Sequence, residues 1–324
     1  MTKIKEWKDK GYFLDVDWIK NFGGAIPSLI FISLRYPRLV LNANRACPKG
    51  PFTLKPKELP YKIPDFKKEM KYCKSAERFL RPTHLCNPFD KDIIAMADKL
   101  GAFKKLDWDY AESVFNFVND NIRIDFSAIK TATETLHVGH GTCIDKMSLF
   151  IALCRCAGIP SRYILFSPQI VQEGYDILVT ADPLIKKWYD SIGFFAIHGS
   201  SEVKIDGKWI PSDVSADPIF SVGIGLPIIH FGEKIEDKYM KIIGNAMRIE
   251  GLPFGLKFLG SLPFRVFAGA GRAINTSVLE TIEKGREILN KMDIKEYDDK
   301  IRKTFKPHWA TSKQKATNVL QSIK

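Results

Sequence analysis

This 324-residue chain holds a cysteine, a histidine and an aspartate in local sequences that could bring them together for nucleophilic chemistry. Cys143 follows Gly141-Thr142 and precedes Ile144-Asp145. Thr142 and Asp145 fit a capping box, in which a threonine hydroxyl and an acid three residues on satisfy each other's backbone amides. From Met147 to Ala157 the chain is apolar apart from Ser148 and Arg155, which predicts a helix in the centre of a domain. Gly158 supplies a stop and Pro160 prevents continuation. Cys143 then falls on the first turn of a buried helix. Free amides and the positive end of the helix dipole favour thiolate over thiol there, and the Cys143 amide could hold an oxyanion. A lone cysteine is ordinarily a small buried hydrophobe, and Cys154 and Cys156 inside the apolar run take that reading. Cys143 departs from it only if a base is at hand.

Residues 194–214, FFAIHGSSEVKIDGKWIPSDV, supply one. Asp206-Gly207 between two alternating runs predicts a hairpin with a two-residue turn. With Ile205 opposite Lys208, Phe195, Ile197, Val203 and Ile205 share an apolar face with Ile210 and Val214. His198, Ser200, Glu202, Trp209 and Asp213 take the other. Asp213 lies opposite Ser200, diagonal to His198, at a backbone separation of about 7–8 Å that an imidazole and a carboxylate can bridge. Asp213 would fix the imidazole tautomer and favour the imidazolium.

At these residues the chain resembles the transglutaminase-like superfamily of Cys-His-Asp enzymes. Gly141-Thr142-Cys143 matches the family's G-x-C helix start, and Gly158-Ile159-Pro160-Ser161-Arg162 matches its closing turn. His198 begins a strand that runs to an x-D-G-x-W hairpin ending at Trp209, and Asp213 follows that Trp by four residues. The resemblance spans residues 80–218. It implies an α+β, papain-like core, with the Cys-bearing helix packed on an antiparallel sheet that carries His and Asp. It also implies Cys143 as nucleophile, His198 as general base and acid, and Asp213 as orienter. The activity it implies is a cysteine hydrolase that opens a peptide or isopeptide amide through a thioester. Acyl transfer to an amine, or a non-catalytic peptide-binding module on the same fold, are the alternatives. Two positions depart from the family pattern. Ser200 stands where an aromatic is common two residues after the His, and Val214-Ser215 stands where Pro-Thr is common after the Asp.

Other donor sets are weaker. His137, His140 and Cys143 offer three zinc donors, but no fourth is evident and a metal would tie up the thiolate. No metal is expected. No G-x-G-x-x-G or phosphate loop occurs, so no nucleotide cofactor is implied.

These residues need elements to position them. Helices are predicted over Asp90–Leu100, Asp107–Ile122 and Ser277–Met292 from their apolar spacing. Residues 1–80 carry few periodic stripes and five prolines within 48–64, so they read as a basic, proline-rich arm wrapping the core. Residues 81–218 form the catalytic core, and 219–324 a helical extension. The long insert from Phe166 to Ile192 carries Tyr175, Leu184, Ile185, Trp188 and Tyr189, and reads as a wall that favours a hydrophobic peptide or protein substrate.

Composition sets the outer bounds. The apolar fraction is 45%, enough for a large core and against a disordered chain. The formal charge is +12, unevenly placed. Residues 1–80 hold 17 basic against 8 acidic side chains, 81–245 hold 17 against 21, and 246–324 hold 15 against 8. An acidic centre between two basic arms does not fit a core that wraps nucleic acid, and no nucleic-acid partner is expected. Six irregularly spaced cysteines in a chain this long indicate a reducing, cytoplasmic setting rather than a disulfide framework. The apolar stretches at 23–34 and 251–271 are too short or too charged for the ~20 residues of a bilayer span. They leave peripheral contact with an anionic membrane open. The oligomeric state is not legible.

Overall fold

The helix that begins at Cys143 and ends at Cys156 organises the molecule. The computed structural model describes residues 16–45, 49–236 and 238–310. The Thr142 hydroxyl accepts from the Asp145 amide at 3.4 Å, and the Asp145 carboxylate accepts from the Thr142 amide at 2.9 Å. This reciprocal cap fixes the helix start at the nucleophile candidate. Every residue from Ile144 to Cys156 is buried, as a helix apolar on nearly all sides requires.

Two helices flank it where the spacing predicts them. Lys91–Leu100 is capped by Asp90 and closed by Gly101 in the left-handed conformation, at φ 100°. Asp107–Asn121 follows, and both pack on the central helix. Two short parallel strands, β1 (Arg123–Ile124) and β2 (His140–Gly141), hold the chain on its approach to Cys143.

The main sheet is antiparallel. It comprises β3 (Ser161–Ile170), β4 (His198–Ile205), β5 (Lys208–Ser212) and β6 (Met240–Ile249), in the order β5-β4-β3-β6. The β4–β5 hairpin has the expected register, with Ile205 opposite Lys208 and Ser201 opposite Ser212. Its turn residues Asp206 and Gly207 both have positive φ, 49° and 77°, as a tight turn matched to strand twist requires. One sheet face meets the central helix. Tyr163 Oη lies 3.3 Å from Ser148 Oγ, and a Cβ on Gly199 would sit 2.7 Å from Met147 Cε. Arg162 marks the other face, where its guanidinium bonds Glu202 and stacks on Trp209. The molecule is therefore α+β, with the Cys-bearing helix against an antiparallel sheet.

The flanking segments differ from their sequence readings in three respects. Residues 16–45, read as irregular, form helices Val16–Arg35 and Pro37–Arg45. The segment after 218, read as helical, also supplies β6, which pairs along β3 and completes the sheet. The insert before β4 is no free wall. Leu184, Trp188 and Tyr189 are buried, and Trp188 Nε1 donates to the Ala25 carbonyl at 3.0 Å. Leu184 and Trp188 anchor the first helix to the body and Tyr189 packs with Ile170, Val179 and Ala310, so the apolar-wall reading loses all three. One continuous core runs from Leu54 through the central helix to Ile282.

Candidate active site

Cys143 lies at the helix start, half-buried, with β2 immediately before it. His198 is the first residue of β4, and Asp213 is the first residue beyond β5. Both are buried. His198 Nε2 and Asp213 Oδ2 are 2.9 Å apart. That contact uses Nε2 and leaves Nδ1 uncommitted, while Cys143 lies close enough to the imidazole to favour its cation. The structure thus brings together all three residues that the sequence singles out.

The electrostatics follow from burial and charge. Burial works against the His198 cation, but the Asp213 carboxylate and Cys143 outweigh it and push the imidazole up to about 10. Burial works against the Asp213 anion, yet His198 and the Ser215 hydroxyl and amide hold it below the usual carboxylate range. Ser215 is a residue that the sequence reading passed over as a departure from Pro-Thr. Its amide donates to Asp213 Oδ1 at 2.9 Å and its hydroxyl donates to the same oxygen. Ser200, the other departure, faces the Ser212 carbonyl at 3.5 Å. The Phe166 ring packs on the imidazole, centroids 5.1 Å apart.

Beneath the nucleophile lie two buried charges, the capping Asp145 and Lys146, of which the sequence reading used only the first. Asp145 is fully buried, and burial raises it to about 7 against the pull of Lys130 and two backbone amides. Lys146 is also fully buried, and its ammonium has no hydrogen-bond partner among the described residues. Burial lowers it to about 8, while Asp217, Asp213, Asp120 and Cys143 pull the other way. Arg155 on the same helix is different. It donates to the carbonyls of Ser161, Arg81 and Glu250, so it is a satisfied staple between segments. A sequence signal for Lys146 exists: on a helix buried all round, a lysine one turn after the cysteine must enter the interior beside it.

The alternative zinc donors go elsewhere. His137 is exposed and pairs with Asp92 at 2.7 Å. His140 is buried with its Nδ1 2.6 Å from Asp125. Asp125 also accepts from the Leu54 amide and the Ser127 hydroxyl, which ties the proline-rich arm to the approach strand. Among the described residues no group of three or more metal-ligating side chains is assembled.

Residues 94–214 match the family model of the transglutaminase-like superfamily. Over this segment the chain is similar to that family. The segment holds Cys143, His198 and Asp213, and it ends before β6. No curated protein matches the chain. Among solved structures, a crystal structure from Cytophaga hutchinsonii called "Putative Cysteine Protease" is similar, at 23% identity and a TM-score of 0.31. The match covers 52% of this chain, and this chain spans about half of that one, 51%.

Proposed function

We propose that the chain is a cysteine hydrolase that opens an amide bond, peptide or isopeptide, through a Cys143–His198–Asp213 triad. The observation that carries this is the buried imidazole, tied at Nε2 to Asp213 and left with Nδ1 for a cysteine on the first turn of a capped helix. The Cys143 thiol gives its proton to His198 Nδ1, and the sulfur attacks the carbonyl carbon. The resulting oxyanion accepts from the Cys143 amide, one of the helix's first amides, which have no acceptor within the helix. His198 then protonates the leaving amine as the carbon–nitrogen bond breaks, and a thioester remains. Water, deprotonated by His198, attacks the thioester and frees Cys143. Asp213, held by Ser215, keeps the imidazole in the orientation both steps need.

An amine in place of that water gives acyl transfer with the same residues. The discriminating experiment supplies an amide substrate pool with and without a primary amine such as cadaverine, then analyses products and Cys143 by mass. An acyl adduct on Cys143 that decays to free acid supports hydrolysis, and decay only to the amine conjugate supports transfer. No adduct from any amide pool would sink the covalent reading and leave a binding module.

A further inference from the structure

We propose that the helices Val16–Arg35 and Pro37–Arg45, together with the helix Leu256–Val266, form one face that seats the protein peripherally on an anionic lipid surface. The first observation is where the exposed large apolar side chains lie. Among the described residues there are fifteen, and eleven belong to two segments, 18–57 and 251–279. Ile30, Phe31 and Leu34 form a stripe on the first helix, and Phe258, Leu262 and Val266 recur every four residues on the other. These stripes are the sides left over after packing. The opposite side of the first helix buries Ala25 and Ile32 in a secondary core with Trp188, and the other helix buries Leu256 and Ser261. Soluble proteins seldom leave such stripes in water without a partner.

The second observation is charge. Residues 18–57 contain seven Lys and Arg and no Asp or Glu. Residues 251–279 contain Lys257, Arg265 and Arg272 and again no acid. The centre of the chain, which bears the triad, has an acidic excess. Lys257 is paired with Glu134 at 2.8 Å, but other basic side chains, among them Arg35, Arg38 and Arg265, lie on the same two segments as the exposed apolar ones, the combination that anionic headgroups over acyl chains attract.

The third observation joins the segments in space. Gly269, just beyond Val266, approaches the end of the second helix so closely that a Cβ would lie 1.7 Å from the Ala43 carbonyl oxygen. Phe52 stacks under the Arg272 guanidinium at 3.4 Å. No helix among the described residues is long and apolar enough to cross a membrane, so the contact is interfacial.

The test is flotation of the full chain with vesicles of phosphatidylcholine alone and of phosphatidylcholine mixed with phosphatidylglycerol. Binding to the mixed vesicles only, weakened by salt, is expected. Phe31→Ser with Phe258→Ser should lower that binding ~10-fold or more, and Arg38→Glu with Arg265→Glu should abolish the preference for the anionic lipid. All four positions are exposed, so the thermal transition should be unchanged in both variants. Absence of flotation, or equal flotation with both vesicles, would overturn the proposal. A dimer in solution that the Phe31/Phe258 variant dissolves, with no flotation, would also overturn it and assign the face to a second copy of this chain.

Discussion

The His198–Asp213 pair makes a signed prediction about pH. The imidazole is held up to about 10 in the folded protein against an ordinary value of 6.5. A raised cation contributes stability that is fully present below pH 6.5 and is lost as pH rises towards 10. Urea unfolding between pH 6 and 10 should therefore show a falling stability that flattens in His198→Gln. An equal slope in both proteins would show that the pair is not linked to folding. Ser215→Ala should cost about 1 kcal/mol, since it removes one of two donors to a buried carboxylate oxygen. It should also slow Cys143 alkylation several-fold if Ser215 holds the orienter, and an unchanged alkylation rate would confine Ser215 to structure. Cys143, His198 and Asp213 are legible in the sequence because each sits in a local signal, a cap or a two-residue turn. Lys146 and the His140–Asp125 pair are less so, since their meaning depends on neighbours that only the fold supplies.

At the scale of elements, the helix start and the hairpin turn carry the geometry. Thr142→Ala removes the side-chain half of the cap and should destabilise by ~1 kcal/mol, read as a shifted urea midpoint at constant slope. A close helix contact gives a further prediction. A Cβ on Gly285, within the helix Ala268–Leu289, would lie 2.1 Å from the Ile219 carbonyl oxygen, so the neighbouring helix Pro218–Ile224 must approach backbone to backbone. Gly285→Ala should cost about 1–3 kcal/mol by forcing the two apart, and a neutral result would show that this packing can yield. The β4–β5 register was readable because turn type sets pairing over a few residues. β6 was not. Its sequence, MKIIGNAMRI, alternates weakly and contains Gly-Asn, and its strand character comes from pairing with β3, whose partner residues lie 70 to 86 positions earlier in the chain. The two helices of residues 16–45 were hidden by Gly23-Gly24 and Pro27, whose helix-breaking tendency is outweighed by packing on the helix Pro183–Ile192.

At the scale of the molecule, the family match stops at residue 214 but the sheet and core do not. Glu250 receives the Arg81 side chain and the Phe79 amide, and its carbonyl receives Arg155 from the central helix. An isolated fragment of residues 80–218 would lack β6 and Glu250, leave the edge of β3 open and strip Arg155 of a partner. Limited proteolysis should therefore not release that fragment as a stable, reactive unit. A soluble 80–218 piece that retained Cys143 reactivity would contradict the view that arm, core and extension fold as one body.

The central claim is that the imidazole beside Cys143 activates it, and the alkylation rate of Cys143 measures this most directly. The other described cysteines are buried or half-buried, so modification at Cys143 is followed by mass of its peptide. With iodoacetamide at pH 6, Cys143 should react ~10-fold or more faster than free cysteine, since a neighbouring cation favours the reactive thiolate. His198→Ala should bring that rate down to or below the free-cysteine value while the protein stays folded. A rate no faster than free cysteine, or one that His198→Ala leaves unchanged, would contradict the account.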